Sequence, residues 1–442
     1  MITRRAFLDT LAVGTAGFAV SSSAKSYARI LGSNDRINFG IIGLNSRAYG
    51  HLEALKANQQ NIQVTHVCDV DSVVLGKFAA KTKATFGYDV LTDKDYRKMV
   101  QLKDVDAISI ATPDHLHTPI SIAALQAGKH VYVEKPCSFD PHEGKLLVAA
   151  QAKYGLLVQM GNQGRSLPHI KEIIEKIHNG LIGRANFARA WYVNNRKSIG
   201  IGKEIAPPPT LDWELWQGPA PRRAYRSNLH PYNWHWFRIY GTGEALNNGT
   251  HEIDICRWAL QVDLPKNLNA SGGKYVFQDD WEFYDTLVAN WAYDDKMISW
   301  ENRSRTPIQE FGRDRGSHIM GTDGSVIVNM GGYEVFDQSG KKTDEFKLSS
   351  VKTASNDLIG LSTAAGTNLH FANFIAGIQR GEKLNSPIAE GNLAVTMLQL
   401  TNIAWETGLT LNLDPETGKI INSDIAQKMT HREYEKGWEP TL

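Results

Sequence analysis

The sequence predicts a doubly wound α/β parallel sheet in the N-terminal part, followed by an α+β domain on a largely antiparallel, open sheet. Three observations carry this. Short apolar runs alternate with helix-like stretches as far as about Tyr154. Beyond that point the alternation stops and strand-like runs follow one another, most clearly from Thr286 to Asn329. The chain has 442 residues, 42 % hydrophobic and 21 % charged, which is ordinary globular composition and enough for two folded units.

The first residues stand apart from the fold. Thr3-Arg4-Arg5-Ala6-Phe7-Leu8 is a twin-arginine pattern, Leu11 to Val20 is a short apolar stretch, and Ser22-Ser23-Ala24 supplies small residues for cleavage. Residues 1–28 are therefore expected to be an export signal and linker, which places the mature protein in the periplasm. A retained amphipathic anchor is the alternative. The apolar run is too short to span a bilayer comfortably, so no stable membrane span is expected.

The N-terminal domain is expected over 36–157. Its strands are Ile37–Ile42, Ile62–Val67, Val105–Ala111, His130–Val133 and the closing run Leu156–Met160. Helical stretches Ser46–Ala57, Val73–Thr82, Ile120–Ala127 and His142–Tyr154 lie between them. The C-terminal domain is expected over 158–442. It begins with an amphipathic helix at Ile170–Asn179 and a strand at Phe187–Val193. Thr286–Tyr293, Met297–Asn302, His318–Met320 and Ser325–Asn329 follow, the last two joined by the turn Gly321-Thr322-Asp323-Gly324.

The formal net charge is +1, so no global field draws the chain to nucleic acid or anionic membrane. Cys68, Cys137 and Cys256 are far apart and odd in number, which predicts buried free thiols rather than a disulfide framework. No metal site is expected; His115 and His117 are two residues apart and lack a second ligand cluster.

The first strand runs into Gly43-Leu44-Asn45-Ser46-Arg47-Ala48. Such a turn sets helix N-terminal amides against a pyrophosphate, with Gly43, Asn45, Ser46 and Arg47 as its candidate contacts. Asn45 stands where a second glycine is usual. An ordinary strand-to-helix turn is the alternative. Asp69, at the end of the second strand, is placed to accept hydrogen bonds from ribose hydroxyls and to repel a 2′-phosphate, which favours NAD over NADP. The alternative role of helix N-cap suits Asp71 better.

Two further clusters, Thr112-Pro113-Asp114-His115-Leu116-His117 and Glu134-Lys135-Pro136, lie at carboxyl ends of parallel strands, where such sheets bind ligands. An ammonium at Lys135 can steady a developing alkoxide. Later, Asn247, His251, Asp254 and Trp258 are spaced four, three and four apart and share one helical face, interrupted by Gly249. There the Asp254 carboxylate is expected to orient the His251 imidazole as a general base. Tyr232-Asn233-Trp234-His235-Trp236-Phe237 combines rings and amides as a sugar site does, or else forms a buried aromatic core.

Taken together, these motifs resemble the oxidoreductases of the glucose–fructose oxidoreductase and inositol dehydrogenase type (Gfo/Idh/MocA). The resemblance rests on Gly40-Ile41-Ile42-Gly43, Asp69, Ala111-Thr112-Pro113, Glu134-Lys135-Pro136, Gly161-Asn162-Gln163 and Asn248-Gly249-Thr250-His251-Glu252-Ile253-Asp254. It implies a Rossmann domain that binds NAD through Gly43, Asn45, Ser46, Arg47, Asp69, Thr112, Pro113, His117, Glu134, Lys135 and Gln163. It implies Lys135 and His251 as catalytic residues, and Asn233, Trp234, His235, Asn247 and Asp254 around a carbohydrate. The family often has aspartate where this chain has Asn247, so a carboxylate there is not available for proton transfer. Arg432-Glu433-Tyr434 and Trp438 are expected to close over the pocket, as in similar proteins.

The expected activity is oxidation of a glycoside hydroxyl, with C3 the best specific position, by a tightly bound NAD recycled in place; a homo-oligomer is expected. A glycoside hydrolase acting through transient oxidation and elimination is the first rival, and a non-catalytic sugar-binding protein the second.

Overall fold

The computed structural model describes residues 36–306, 308–348 and 358–442. The twin-arginine segment lies outside them.

Six strands form an all-parallel sheet in the order β3-β2-β1-β4-β5-β6. They are β1 (Ile37–Ile42), β2 (Ile62–Cys68), β3 (Leu91–Asp93), β4 (Ala107–Ile110), β5 (His130–Val133) and β6 (Val158–Met160). β1, β4 and β5 are nearly continuous apolar runs, as strands covered on both faces require, whereas β2 alternates. The connecting helices are α1 (Arg47–Ala57), α2 (Ser72–Phe86), the single turn α3 (Tyr96–Met99), α4 (His117–Gln126) and α5 (Pro141–Tyr154). Asp71 caps α2 by accepting from Val73 N at 2.9 Å, and Asp140 caps α5 by accepting from Glu143 N at 2.8 Å. The strand order reverses between β1 and β4, and a ligand crevice opens at that point in such sheets.

The chain continues through α6 (Pro168–His178), β7 (Ala185–Val193), α7 (Trp213–Gln217) and α8 (Thr250–Leu260). The remaining strands are β8 (Asn267–Gly273), β9 (Thr286–Ala292), β10 (Met297–Arg303), β11 (Arg315–Gly321), β12 (Gly324–Asn329), β13 (Gly332–Asp337), β14 (Lys342–Lys347) and β15 (Leu411–Asn412). They form a nine-stranded sheet, β14-β13-β12-β11-β7-β10-β9-β8-β15, in which only the β7–β10 pair is parallel. α8 packs across β7 and β11, so the sheet carries the helix that bears His251.

Two late helices, α9 (Leu358–Arg380) and α10 (Ile388–Thr407), return to the first domain. Phe371 of α9 stacks on Tyr132 with ring centroids 4.1 Å apart, and Phe374 meets Phe39 edge-on at 6.3 Å. The first sheet is thus completed by residues more than two hundred positions downstream. Cys68, Cys137 and Cys256 are buried free thiols. Among the described residues no helix is long and apolar enough to cross a membrane.

Candidate active site

The β1–α1 turn is shaped by contact as well as by backbone angle. Gly43 has φ +79°, and a Cβ there would lie 2.7 Å from the Thr112 backbone nitrogen. Only glycine lets the ends of β1 and β4 approach so closely. The unusual backbone angle of the turn falls on Ser46, with φ 30°. Asn45 stabilises it by accepting from Ser46 N at 3.0 Å. A non-glycine residue at such an angle stores on the order of 1–3 kcal/mol of strain, which concentrates at functional turns.

Asp69 ties this turn to the end of β2. Its carboxylate accepts from Leu44 N at 2.8 Å and Asp71 N at 2.9 Å. Burial pushes its pKa up to about 6, against the pull of those amides.

Behind the turn lies a buried charge cluster. Glu134 accepts from Arg47 Nε at 2.7 Å, and the same oxygen meets His51 Nε2 at 2.9 Å. Burial alone would raise this carboxyl, but the Arg47 guanidinium and His51 hold it well below the usual carboxylate range. The Gln163 amide is satisfied with its oxygen towards Arg47 and its nitrogen donating to Gly161 O at 2.9 Å. Arg47 and Glu134 are thus held by each other and by Gln163 and His51. His117 also holds the turns together. Its Nδ1 lies 2.6 Å from Pro136 O and its Nε2 2.9 Å from Thr112 O. It staples the Thr112 turn to the Lys135–Pro136 turn.

A cavity of about 690 Å³ runs from Gly43 and Asp69 past Thr112 and Lys135 to His251 and Trp234. It is lined by each of Gly43, Asn45, Ser46, Arg47, Asp69, Thr112, Pro113, His117, Glu134, Lys135 and Gln163, and by Trp234, His235, Asn247 and His251. Its first half suits a dinucleotide: the α1 N-terminus faces it, and the buried Thr112 hydroxyl there has no partner among the described residues.

At the other end, Lys135 Nζ donates to Asn247 O at 2.5 Å. This bond joins the first domain to the segment that carries His251. Burial lowers the Lys135 pKa, with Glu134 and Asp114 acting in the opposite sense. Burial, and then the positive charges of Lys135 and Arg315, push His251 well below the ordinary histidine range. Its imidazole is therefore neutral, and neither ring nitrogen has a hydrogen-bond partner among the described residues. A neutral imidazole beside an ammonium can accept a hydroxyl proton while the ammonium holds the oxygen.

Asp254 does not orient His251. It forms a buried bidentate pair with Arg165, at 2.7 and 2.8 Å, and the same guanidinium lies over the Trp258 ring at 5.0 Å. A buried carboxylate needs a charge partner, and Arg165, just after Gly161-Asn162-Gln163, supplies it one turn below His251. The segment before His251 is a π-helical turn, Ala245–Gly249, rather than a regular helix. The wider turn leaves the Asn247 carbonyl available to Lys135.

Asn233 also lies off the cavity and donates to Asn228 O at 2.8 Å. The aromatic cluster divides between its two readings. Trp234 stacks on His235 at 3.6 Å and lines the cavity, whereas Trp236 is buried and stacks on Trp281 at 3.8 Å. Burial pushes the His235 pKa down to about 3. The C-terminal residues do not close over the pocket. Arg432 donates to His115 O at 2.8 Å and pairs with Glu143, Tyr434 also donates to Glu143, and Trp438 packs under Arg97.

Three wall features escaped the motif reading. Arg315 pairs with Glu252 at 2.7 and 2.8 Å, and Arg196 pairs with Glu244. Asp114 is buried, accepts from the Thr242 hydroxyl at 2.6 Å, and is raised by burial. Asp114 and Glu252 had a signal, since each sits inside a recognised motif. The arginines come from β11 and from the long connection after β7, where nothing local marks them.

Residues 37–162 match the model of an oxidoreductase family with an NAD-binding Rossmann fold, GFO_IDH_MocA. The N-terminal domain belongs to that family. NAD is accordingly the nucleotide it binds. The levoglucosan dehydrogenase of Pseudarthrobacter phenanthrenivorans is 26 % identical over 227 residues, 51 % of each chain. A glycosyl hydrolase family 109 protein of Saccharopolyspora erythraea is 25 % identical over 222 residues, 46 % of this chain and 48 % of that one. The chain thus spans about half the length of these curated relatives. The fold extends further than the sequence likeness. The WlbA dehydrogenase of Bordetella pertussis, solved with NADH and UDP-GlcNAcA, superposes with a TM-score of 0.65 at 19 % identity, over 87 % of this chain and 99 % of that one.

Proposed function

We propose that the protein is a periplasmic, NAD-dependent oxidoreductase of carbohydrate hydroxyls that oxidises a glycoside at C3, with its cofactor tightly bound and recycled. One observation carries the reading: neutral, unpartnered His251 and the Lys135 ammonium line the same cavity as the Gly43 turn and Asp69. When bound, NAD supplies the hydride acceptor. His251 takes the hydroxyl proton, and Lys135 stabilises the charge that develops on the oxygen. Asn247 O fixes the ammonium, and His117 fixes the turn that carries it. The nearby arginines are neutralised by Glu252 and Glu244, so the wall suits an uncharged sugar. Trp234 offers a face for the apolar side of a sugar ring.

The C3 position rests on family resemblance, and the periplasmic location on the Arg4-Arg5 pattern. A cofactor that stays bound accords with export, since a free pool outside the cytoplasm is not needed. Denaturing the purified protein and assaying the supernatant tests the cofactor. Release of NAD(H), and keto-sugar formed from a glycoside panel, are expected. A protein that neither releases nor binds NAD sinks the proposal.

The likeness to glycosyl hydrolase family 109 proteins favours a second reading, hydrolysis through transient oxidation and elimination. Net hydrolysis with no keto-sugar is the result that selects it. The homo-oligomer expected from the family is part of the proposal, and light scattering on the mature protein tests it.

A further inference from the structure

The tail of the chain brings together three side chains that the nucleotide and sugar sites do not use. His142 stands in the first turn of α5, His431 follows α11 (Asp424–Lys428), and Glu439 lies near the C-terminus. One ligand atom from each lies within 4.8 Å of the other two. The His142 and His431 rings stack at 4.1 Å, and His431 Nε2 lies 3.5 Å from Glu439 Oε1. No spacing in the sequence announces the group, because folding brings it together across nearly three hundred residues.

We propose that His142, His431 and Glu439 form a divalent transition-metal site, best suited to zinc(II), that pins the C-terminal tail to the first domain. Two imidazoles and one carboxylate are a donor set that zinc takes readily, with water in a fourth position. Ligand bonds of about 2.0–2.2 Å in a tetrahedron put donor atoms about 3.3 Å apart. The three groups must therefore draw in by up to about 1.5 Å. The His431 and Glu439 side chains, 43 % and 55 % exposed, are free to rotate that far. Lys145 and the α5 N-terminus oppose a cation, and Glu439 offsets them.

The site would reinforce a contact that already reaches the catalytic turn. Between His431 and Glu439, Arg432 and Tyr434 hold Glu143, and Arg432 also donates to His115 O. His115 is two residues before His117, which staples the Lys135–Pro136 turn. Gln126 completes the tail's anchorage by donating to Thr441 O at 2.7 Å.

The test uses full-length mature protein without a histidine tag, stripped with chelator, and zinc(II) or cobalt(II) as the probe. Wild type is expected to take up one equivalent by calorimetry, to melt at a higher temperature with zinc, and to show the visible absorption of low-coordinate cobalt. His142→Ala and His431→Ala should each weaken binding by at least about 100-fold, the upper end of what even an outer-shell partner costs. Glu439→Gln should weaken it less. Circular dichroism checks that each variant is native. If His142→Ala does not fold, the exposed His431→Gln and Glu439→Gln carry the same comparison. No uptake by wild type, or equal uptake by native variants, overturns the proposal. Neither outcome bears on the oxidoreductase reading, which is tested by nucleotide release and product.

Discussion

Replacing Lys135 by Met, and separately His251 by Ala, removes the two groups proposed to act on the reacting hydroxyl. Asn247 O takes one of the three N–H donors of Lys135, leaving two for substrate oxygen. His251 gives its ring to no other partner among the described residues, so its nitrogens are available to the substrate hydroxyl. A positioned acid–base group contributes about 10²- to 10⁴-fold, or about 2.7–5.4 kcal/mol at 1.36 kcal/mol per decade. If both groups act mainly in the transition state, turnover should fall by that factor while substrate affinity changes little. The assay is single-turnover reduction of the protein's own NAD by a glycoside, followed by nicotinamide absorbance. Nucleotide content is measured in parallel and should be unchanged. A near-wild-type rate in either variant removes that residue from the chemistry. Loss of NAD from both variants assigns them a structural role in the cleft instead.

Asp69→Asn keeps the size of the side chain and removes its charge; it should weaken NAD and narrow the preference over NADP, and an unchanged preference by titration would separate Asp69 from the ribose. Asp254→Asn breaks the buried pair with Arg165 and should cost about 3–5 kcal/mol in urea unfolding, because the buried guanidinium keeps only a longer contact, 3.9 Å, to the half-exposed Glu390. Its native fraction should keep the wild-type pH–rate profile, and a shifted profile would restore the idea that Asp254 acts on His251. Burial holds His115 and His235 at about 3, so the folded chain stays unprotonated there while the unfolded chain takes up protons below about 6.5. Stability should therefore fall as pH drops from about 6.5 towards 3, and a melting temperature that rises on acidification to pH ~5 would contradict this sign. Arg4→Lys combined with Arg5→Lys should retain the precursor in the cytoplasm, and fractionation that still finds it outside would exclude the twin-arginine route.

The sequence by itself determined the local chemistry of the first domain. Alternating apolar and helical runs specify a parallel sheet, and its strand ends carry Gly43, Asp69, Thr112 and Lys135 within short motifs. Such features are legible because neighbours along the chain cause them: strand, turn and helix cap are contiguous. Tertiary structure alone decided the charge partners. Asp254 lies three residues from His251, yet it belongs to Arg165, because a buried carboxylate takes whichever cation the fold delivers. Arg315 and Arg196 reached the cavity from β11 and the connection after β7 in the same way. Phe371 and Phe374 completed a core begun by Phe39, and His431 and Glu439 came to His142. Each of these depends on contacts between distant segments, where packing and desolvation choose the partner, and no period in the sequence encodes that choice.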